Sequence, residues 1–143
     1  MRHRKNTIKL GRDCGHRRSL RANMLKALIE HERIVTSETK AKFLKRYADQ
    51  MITLAKKNSL ASRRQAIAEL MIRYNKLTPK EARAAKKGDT SAYNGDRKVI
   101  QKLFGELGPR FSARSGGYTR VVKTPALRRG DNSPKCIIEF LSG

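Results

Sequence analysis

The sequence has 143 residues, with 34 lysines and arginines against 12 aspartates and glutamates, a formal net charge of +22. That length suits a single domain with a modest core, and no apolar run approaches the ~18 residues of a membrane span, which excludes a membrane-crossing helix. Leu, Ile, Val and Phe together number 30, just above the roughly one-fifth share below which high charge implies disorder; the chain can fold, but against self-repulsion that a nearby polyanion would relieve.

The positive excess runs through the whole chain and is densest over residues 1–21, which carry Arg2, Arg4, Lys5, Lys9, Arg12, Arg17, Arg18 and Arg21 with His3 and His16. This stretch has too little apolar surface to order itself, so residues 1–17 are predicted to form an extended basic arm that orders on binding. It has charge but no apolar segment like that of a secretory signal, and no helical apolar stripe like that of a mitochondrial presequence. Cys14 and Cys136 lie too far apart in sequence to suggest a disulfide framework, and their number suits a reducing, cytosolic compartment.

Residues 18–143 are expected to form one domain. Leu20, Met24, Ala27 and Leu28 recur at helical spacing and predict a helix over about 18–32. Arg33 to Thr36 is β-prone and predicts a short strand. Thr36 or Ser37 then caps a long helix with a buried stripe of Leu44, Tyr47, Ala48, Met51, Leu54 and Ala55. Its outer face carries Lys40, Lys42, Lys45, Arg46, Lys56 and Lys57. Asn58 stops it, and Ser59 caps a helix expected to bury Leu60, Ile67, Leu70, Met71 and Tyr74 and to expose Arg63 and Arg64.

Residues 76–95 read as a surface insertion. Thr78-Pro79-Lys80-Glu81 is a capping box with proline at the first helical position, followed by a short alanine-rich helix that stops at Gly88. Asp96 is expected to cap the next helix, with Val99, Ile100, Leu103, Phe104 and Leu107 on one face and Gly108-Pro109 as its end. The remainder is β-rich: a strand from Tyr118 to Lys123, a polar loop over Thr124 to Pro134, and a strand from Cys136 to Leu141. The predicted fold class is α+β, a two-layer α/β domain in the order α-β-α-α-α-β-β. It has a short mixed three-stranded sheet and an extended basic N-terminal arm.

Catalytic machinery is not expected. The acids are scattered, Glu30, His31 and Glu32 point in different directions on a helix, and no nucleotide-cradling or nucleophile motif occurs. Asp13-Cys14-Gly15-His16 with His3 upstream falls short of the four ligands of a structural zinc site. It reads better as a polar turn in which His16 meets phosphate, so neither metal nor cofactor is expected.

The stretch Gly108 to Arg120 is more specific. It interleaves Arg110, Arg114 and Arg120 with Phe111, Tyr118, Gly116 and Gly117. Arginine forks onto phosphate or stacks on a base, and tyrosine offers a stacking face to an unpaired base. Gly116-Gly117 also reads as a simple turn, and the two aromatics as core. Arg128-Arg129-Gly130-Asp131-Asn132 reads as a second contact loop.

Several strings resemble the bacterial large-subunit ribosomal protein seventeen family: Met1 to Arg4, Gly15-His16-Arg17, Ile52 to Lys56, Leu107 to Phe111, Arg114 to Arg120, and Gly130-Asp131-Asn132 before the terminal strand. The likeness runs nearly end to end. It implies a two-layer α/β fold and a structural, non-catalytic role in the large (50S) ribosomal subunit in the cytoplasm. It also implies binding to 23S ribosomal RNA and a place beside other large-subunit proteins near the outer end of the nascent-chain tunnel. No membrane, small-molecule substrate or homo-oligomer is implied. By the same likeness Arg2, His3, Arg4, His16 and Arg17 fall in the RNA-binding arm, and Arg110, Arg114 and Arg120 in the basic C-terminal motif. Lys5, Arg12, Arg18, Arg21, Arg63, Arg64, Arg128 and Arg129 complete the expected RNA-binding set. Asp13-Cys14-Gly15 replaces the small hydroxyl residues usual before the His-Arg pair, and residues 76–95 look inserted relative to many members. The charge also permits a nucleoid-type DNA-binding protein, although no helix-turn-helix pair or dimer seam is evident. An RNA-acting nuclease would need the clustered acids that are missing.

Overall fold

The structure is a computed structural model that describes residue 3 and residues 8–142. Helix α1 spans Cys14–His31. It begins four residues ahead of the expected start because the Asp13 carboxylate caps it, accepting the His16 backbone N–H at 2.8 Å. Residues 14–17 therefore belong to a helix and not to an extended arm, and the expected polar turn at Cys14–His16 is the first helical turn. Arg17 reaches back to donate to the Arg12 carbonyl at 2.7 Å.

Glu32 ends α1 in the left-handed conformation, at φ 59°, and strand β1 follows at Arg33–Ser37. Helix α2 covers Glu38–Lys57 from its N-cap Ser37, with Glu38 in the first turn and two lysines in the last, as a helix dipole favours. Asn58 closes it in the left-handed region. Helix α3, Leu60–Glu69, starts with a reciprocal Ser59–Ser62 capping box. It ends sooner than its apolar spacing suggests. Leu70 is buried and Ile67 packs on the core, but Met71 turns left-handed, at φ 50°. Met71 and Tyr74 consequently leave the helix and stand exposed, as does Leu60 at the other end.

The insertion contains helix α4, Pro79–Lys86, opened by the expected Thr78–Glu81 box and contributing no buried residue. Its base is closed by Arg97, whose guanidinium lies 4.6 Å from the Tyr74 ring centre and 5.4 Å from that of Tyr93. The same group donates to the Asn75 carbonyl and side chain at 2.9 and 3.0 Å. Helix α5, Gly95–Lys102, is capped by Asn94 and not by Asp96. Asp96, two residues further in, instead accepts the Arg73 N–H at 2.6 Å and pairs with Lys26 at 2.8 Å. Arg97→Ala should thus loosen the insertion more than the domain. Limited trypsin digestion after Lys80–Lys87 is expected to accelerate about tenfold, from a lost stacked and hydrogen-bonded cation of about 1–2 kcal/mol, with little change in the global melt.

Gly108-Pro109 does not end the helical run. A π turn covers Leu103–Leu107, with the Gly108 N–H donating to the Leu103 carbonyl five residues back, and a short α segment continues over Gly108–Arg110. Proline has no N–H to lose at the start of this new segment, so the chain passes it without a break. The wider turn re-aims the side chains, and Leu103, Phe104, Leu107 and Phe111 are all buried. Gly108 is needed for a close approach: a Cβ there would lie 3.1 Å from the Ala55 carbonyl oxygen of α2.

Strands β2, Thr119–Leu127, and β3, Pro134–Phe140, form a hairpin. β2 runs into the segment expected to be loop, with its ladder shifted between Lys123 and Leu127 around Pro125. A proline without a ladder donor is tolerated there because β2 is an edge strand. The strand order is β1-β3-β2 and both pairings are antiparallel, so the sheet is antiparallel throughout and not mixed. The α+β, two-layer architecture is as expected. One sheet face, with Cys136, Ile138 and Phe140, meets the central helix α2, which also packs on α1, α3 and the π segment. The other face is open and carries Arg33 and Arg120 flanking Glu139 across the strands.

Candidate nucleic-acid interface

Ten of the twelve acids are engaged within the fold. Glu32, Glu38, Glu69, Asp96, Asp131 and Glu139 make ion pairs. Asp13, Glu81 and Asp89 accept backbone N–H groups at helix starts and a turn, and Asp49 accepts from Thr119. Of the 31 lysines and arginines among the described residues, nine pair with an acidic side chain, leaving 22 cations without one. Burial cannot account for them, since the core is built of apolar groups. The surplus lies on helices α1–α5, on β3 and in the connecting loops, and is the electrostatic footprint of a polyanion binder.

The expected RNA-binding residues fall into three classes. Arg2, Arg4 and Lys5 lie outside the described residues, while His3 and His16 are exposed. Arg18, Arg64 and Arg129 are exposed and make no hydrogen bond or ion pair among the described residues. The others are engaged within the fold. Arg110 forks onto Glu32, Arg120 pairs with Glu139 at 2.6 Å, and Arg128 pairs with Asp131 at 3.0 Å. Arg63 lies over the Phe104 ring and holds the Asn58 side chain, and Arg114 donates to the Gly116 carbonyl at 3.2 Å. Arg12 is the exception: it is half-buried and its carbonyl accepts from Arg17, but its own buried Nε has no hydrogen-bond partner among the described residues. Arg21 pairs with Glu69 at 2.5 Å and stacks over the Tyr47 ring at 4.5 Å.

The glycine–arginine motif is accordingly part scaffold. Phe111 and Tyr118 are core, with ring centres 5.3 Å apart, and Gly117 sits at φ 64° where a side chain would be strained. Arg128 to Ser133 forms the hairpin turn, with Asn132 left-handed and its N–H bonded to the Arg128 carbonyl at 2.9 Å. Arg129 projects from that turn into solvent.

The structure adds a feature that linear spacing does not show. α1 and α2 leave between them a cleft of about 470 Å³ lined by Cys14, Arg17, Arg18, Arg21, Lys42, Phe43, Arg46 and Tyr47 and by Ile8 from the segment before α1. The cations come from two helices far apart in sequence, so only their packing brings them together. Phe43 and Tyr47, one turn apart on α2, supply an aromatic wall with ring centres 5.1 Å apart. The i,i+4 aromatic pair on a basic helix face was the available sequence signal, and the reading of Tyr47 as core alone passed over it.

The Glu32 cluster sets an acid limit on the scaffold. Hydrogen bonds from Arg110 and Lys102 hold its carboxyl at about 2, down from an ordinary 4.5. The unfolded chain takes up this proton first, so the pair's stabilisation is intact above pH ~4.5 and is lost as pH falls towards 2. The group is about one-third exposed, which reduces its contribution to about 1–2 kcal/mol. Glu32→Gln should cost that much at pH 7 and flatten the loss of stability between pH 5 and 2, as read by urea melts across that range.

Among the described residues no group of three or more His, Cys, Asp or Glu side chains could hold a metal ion, and no helix is long and apolar enough to cross a membrane. Comparison with known proteins is decisive at the level of family. The profile of the family described as Ribosomal protein L17 matches residues 20–141. The chain is 65% identical over 142 residues to the Large ribosomal subunit protein bL17 of Protochlamydia amoebophila (strain UWE25), covering 99% of each. It is 63% identical to the protein of that name from Chlamydia abortus and 59% identical to that from Chlamydia trachomatis serovar D, again over 142 residues and nearly the whole of both chains. A basic α+β domain with a surplus of cations over acidic partners and a sequence matched end to end, this chain belongs to the ribosomal protein L17 family.

Proposed function

We propose that this chain binds 23S ribosomal RNA within the large subunit, through the N-terminal segment, the α1–α2 cleft and the exposed arginines of α3 and the β2–β3 turn. Membership of the family makes it a structural constituent of the large ribosomal subunit, and not an enzyme, so its compartment is the cytoplasmic ribosome. The observation that carries the RNA reading is the surplus of 22 described cations without an acidic partner. Such a surplus stabilises an assembly by neutralising phosphates and releasing their counterions. The engaged arginines hold the scaffold rigid, while Arg18, Arg64 and Arg129 remain available for phosphate. The neighbours proposed are other large-subunit proteins near the outer end of the nascent-chain tunnel.

Co-sedimentation tests the reading. Added to subunits depleted of it, the protein should run with the large subunit at moderate salt and come off at high salt. Remaining at the top of the gradient at every salt would contradict it. In competition, ribosomal RNA should displace duplex DNA; a preference for the duplex would favour the nucleoid alternative.

A further inference from the structure

The α1–α2 cleft has the chemistry of two different ligand parts. Arg17 donates into the chain at Arg12, Arg21 is held by Glu69 and Tyr47, and Lys42 pairs with Glu38 at 2.7 Å. Arg18 and Arg46 also line the cleft, and among the described residues neither has a partner. Two cations from facing helices are thus available to one phosphate. Phe43 is half-buried, yet it is not among the side chains packed against the core; its ring contact is with Tyr47. A polyanion alone has no use for an aromatic wall, whereas an unpaired base does. The cleft's volume of about 470 Å³ lies in the range of small-ligand pockets, roughly 300–1,000 Å³, large enough for one nucleotide and too small for a duplex.

We propose that this cleft takes up a single unpaired nucleotide of the RNA, with its base against Phe43 and its phosphate between Arg18 and Arg46. The proposal rests on the RNA-binding reading and deepens it. Arg21, stacked on Tyr47 and paired with Glu69, also lines the cleft. The cleft then adds a contact to one unpaired base, which phosphate contacts alone do not make.

Two measurements on the full chain test this. In the first, large subunits containing the protein are irradiated at 254 nm, digested with nuclease and trypsin, and analysed by mass spectrometry. A one-nucleotide adduct is expected on residues 43–47. In the second, Phe43→Leu should weaken binding to 23S RNA by about 5- to 150-fold, the range for loss of one stacked base, with the salt dependence unchanged. Arg46→Gln, an exposed substitution on α2, should lower both the affinity and the salt slope, the latter by about 0.9. Wild-type affinity in Phe43→Leu, or adducts confined to other segments while the wild type binds RNA, would overturn the cleft and leave RNA binding standing. Failure of the wild type to bind RNA would remove both. Should Phe43→Leu lower the thermal melt, Arg46→Gln and the adduct map decide the matter.

Discussion

Phe111→Ala is expected to destabilise the folded chain by about 3–5 kcal/mol, the cost of emptying a fully buried aromatic site. Phe111 is wholly shielded, and its ring meets those of Tyr118 at 5.3 Å and Phe140 at 6.3 Å. It therefore joins the end of the α5 run to the start of β2 and the end of β3. The surrounding structure has little freedom to collapse into the space, because Gly108 already brings the backbone against Ala55 of α2. With ordinary domain stability at about 5–15 kcal/mol, a loss of this size approaches unfolding at 37 °C. Denaturant melts at pH 7 should show a lower midpoint and an unchanged slope. A midpoint within experimental error of the wild type would mean that the π turn does not deliver Phe111 to the core as described.

The combined substitution of Arg18, Arg64 and Arg129 by glutamine should weaken binding to 23S RNA by on the order of a hundredfold or more. This assumes about 1 kcal/mol or more for each lost charge-assisted contact. The slope of log K against log salt should become shallower by about 2.7, three contacts at 0.9 each. All three are exposed and unpaired among the described residues, so their removal leaves the fold's own ion pairs in place. Replacing Arg110, Arg120 and Arg128 instead should act first on stability, because each leaves behind a carboxylate: Glu32, Glu139 or Asp131. Filter binding and melts on both triple variants separate the two effects. Equal losses of affinity at equal stability would mean that the inward pairs do not hold in the complex.

Much of the architecture was legible because local rules and tertiary packing agree. Ser59 and Thr78 carry cap chemistry within four residues of their targets, and the structure uses both. The stripe Leu44, Ala48, Met51, Leu54 and Ala55 is buried because α2 is the element on which the others pack. The departures share a physical pattern. A Gly-Pro pair reads as a stop under four-residue helical bonding, but a five-residue turn carries the chain past it. Asp96 resembles a cap, yet a backbone N–H on Arg73, 23 residues away, holds it. Asp13 capped α1 earlier than the apolar spacing implied, because capping depends on one carboxylate and not on a stripe.

The candidate site was legible in kind but not in detail. Net charge pointed to a polyanion without any knowledge of the fold. Which arginines are available depends on pairings such as Arg110 with Glu32, 78 residues apart, and Arg21 with Glu69, 48 apart. No local pattern encodes those. The cleft likewise exists only after α1 lies beside α2, which places Arg18 near Phe43 and Arg46.

The most direct measurement is the affinity of the purified protein for 23S ribosomal RNA across a salt series. With about eight phosphate contacts, log K should fall linearly with log salt at a slope of about −7. A slope near zero, or no binding even in dilute buffer, would contradict the claim that the unpaired cations exist to meet RNA.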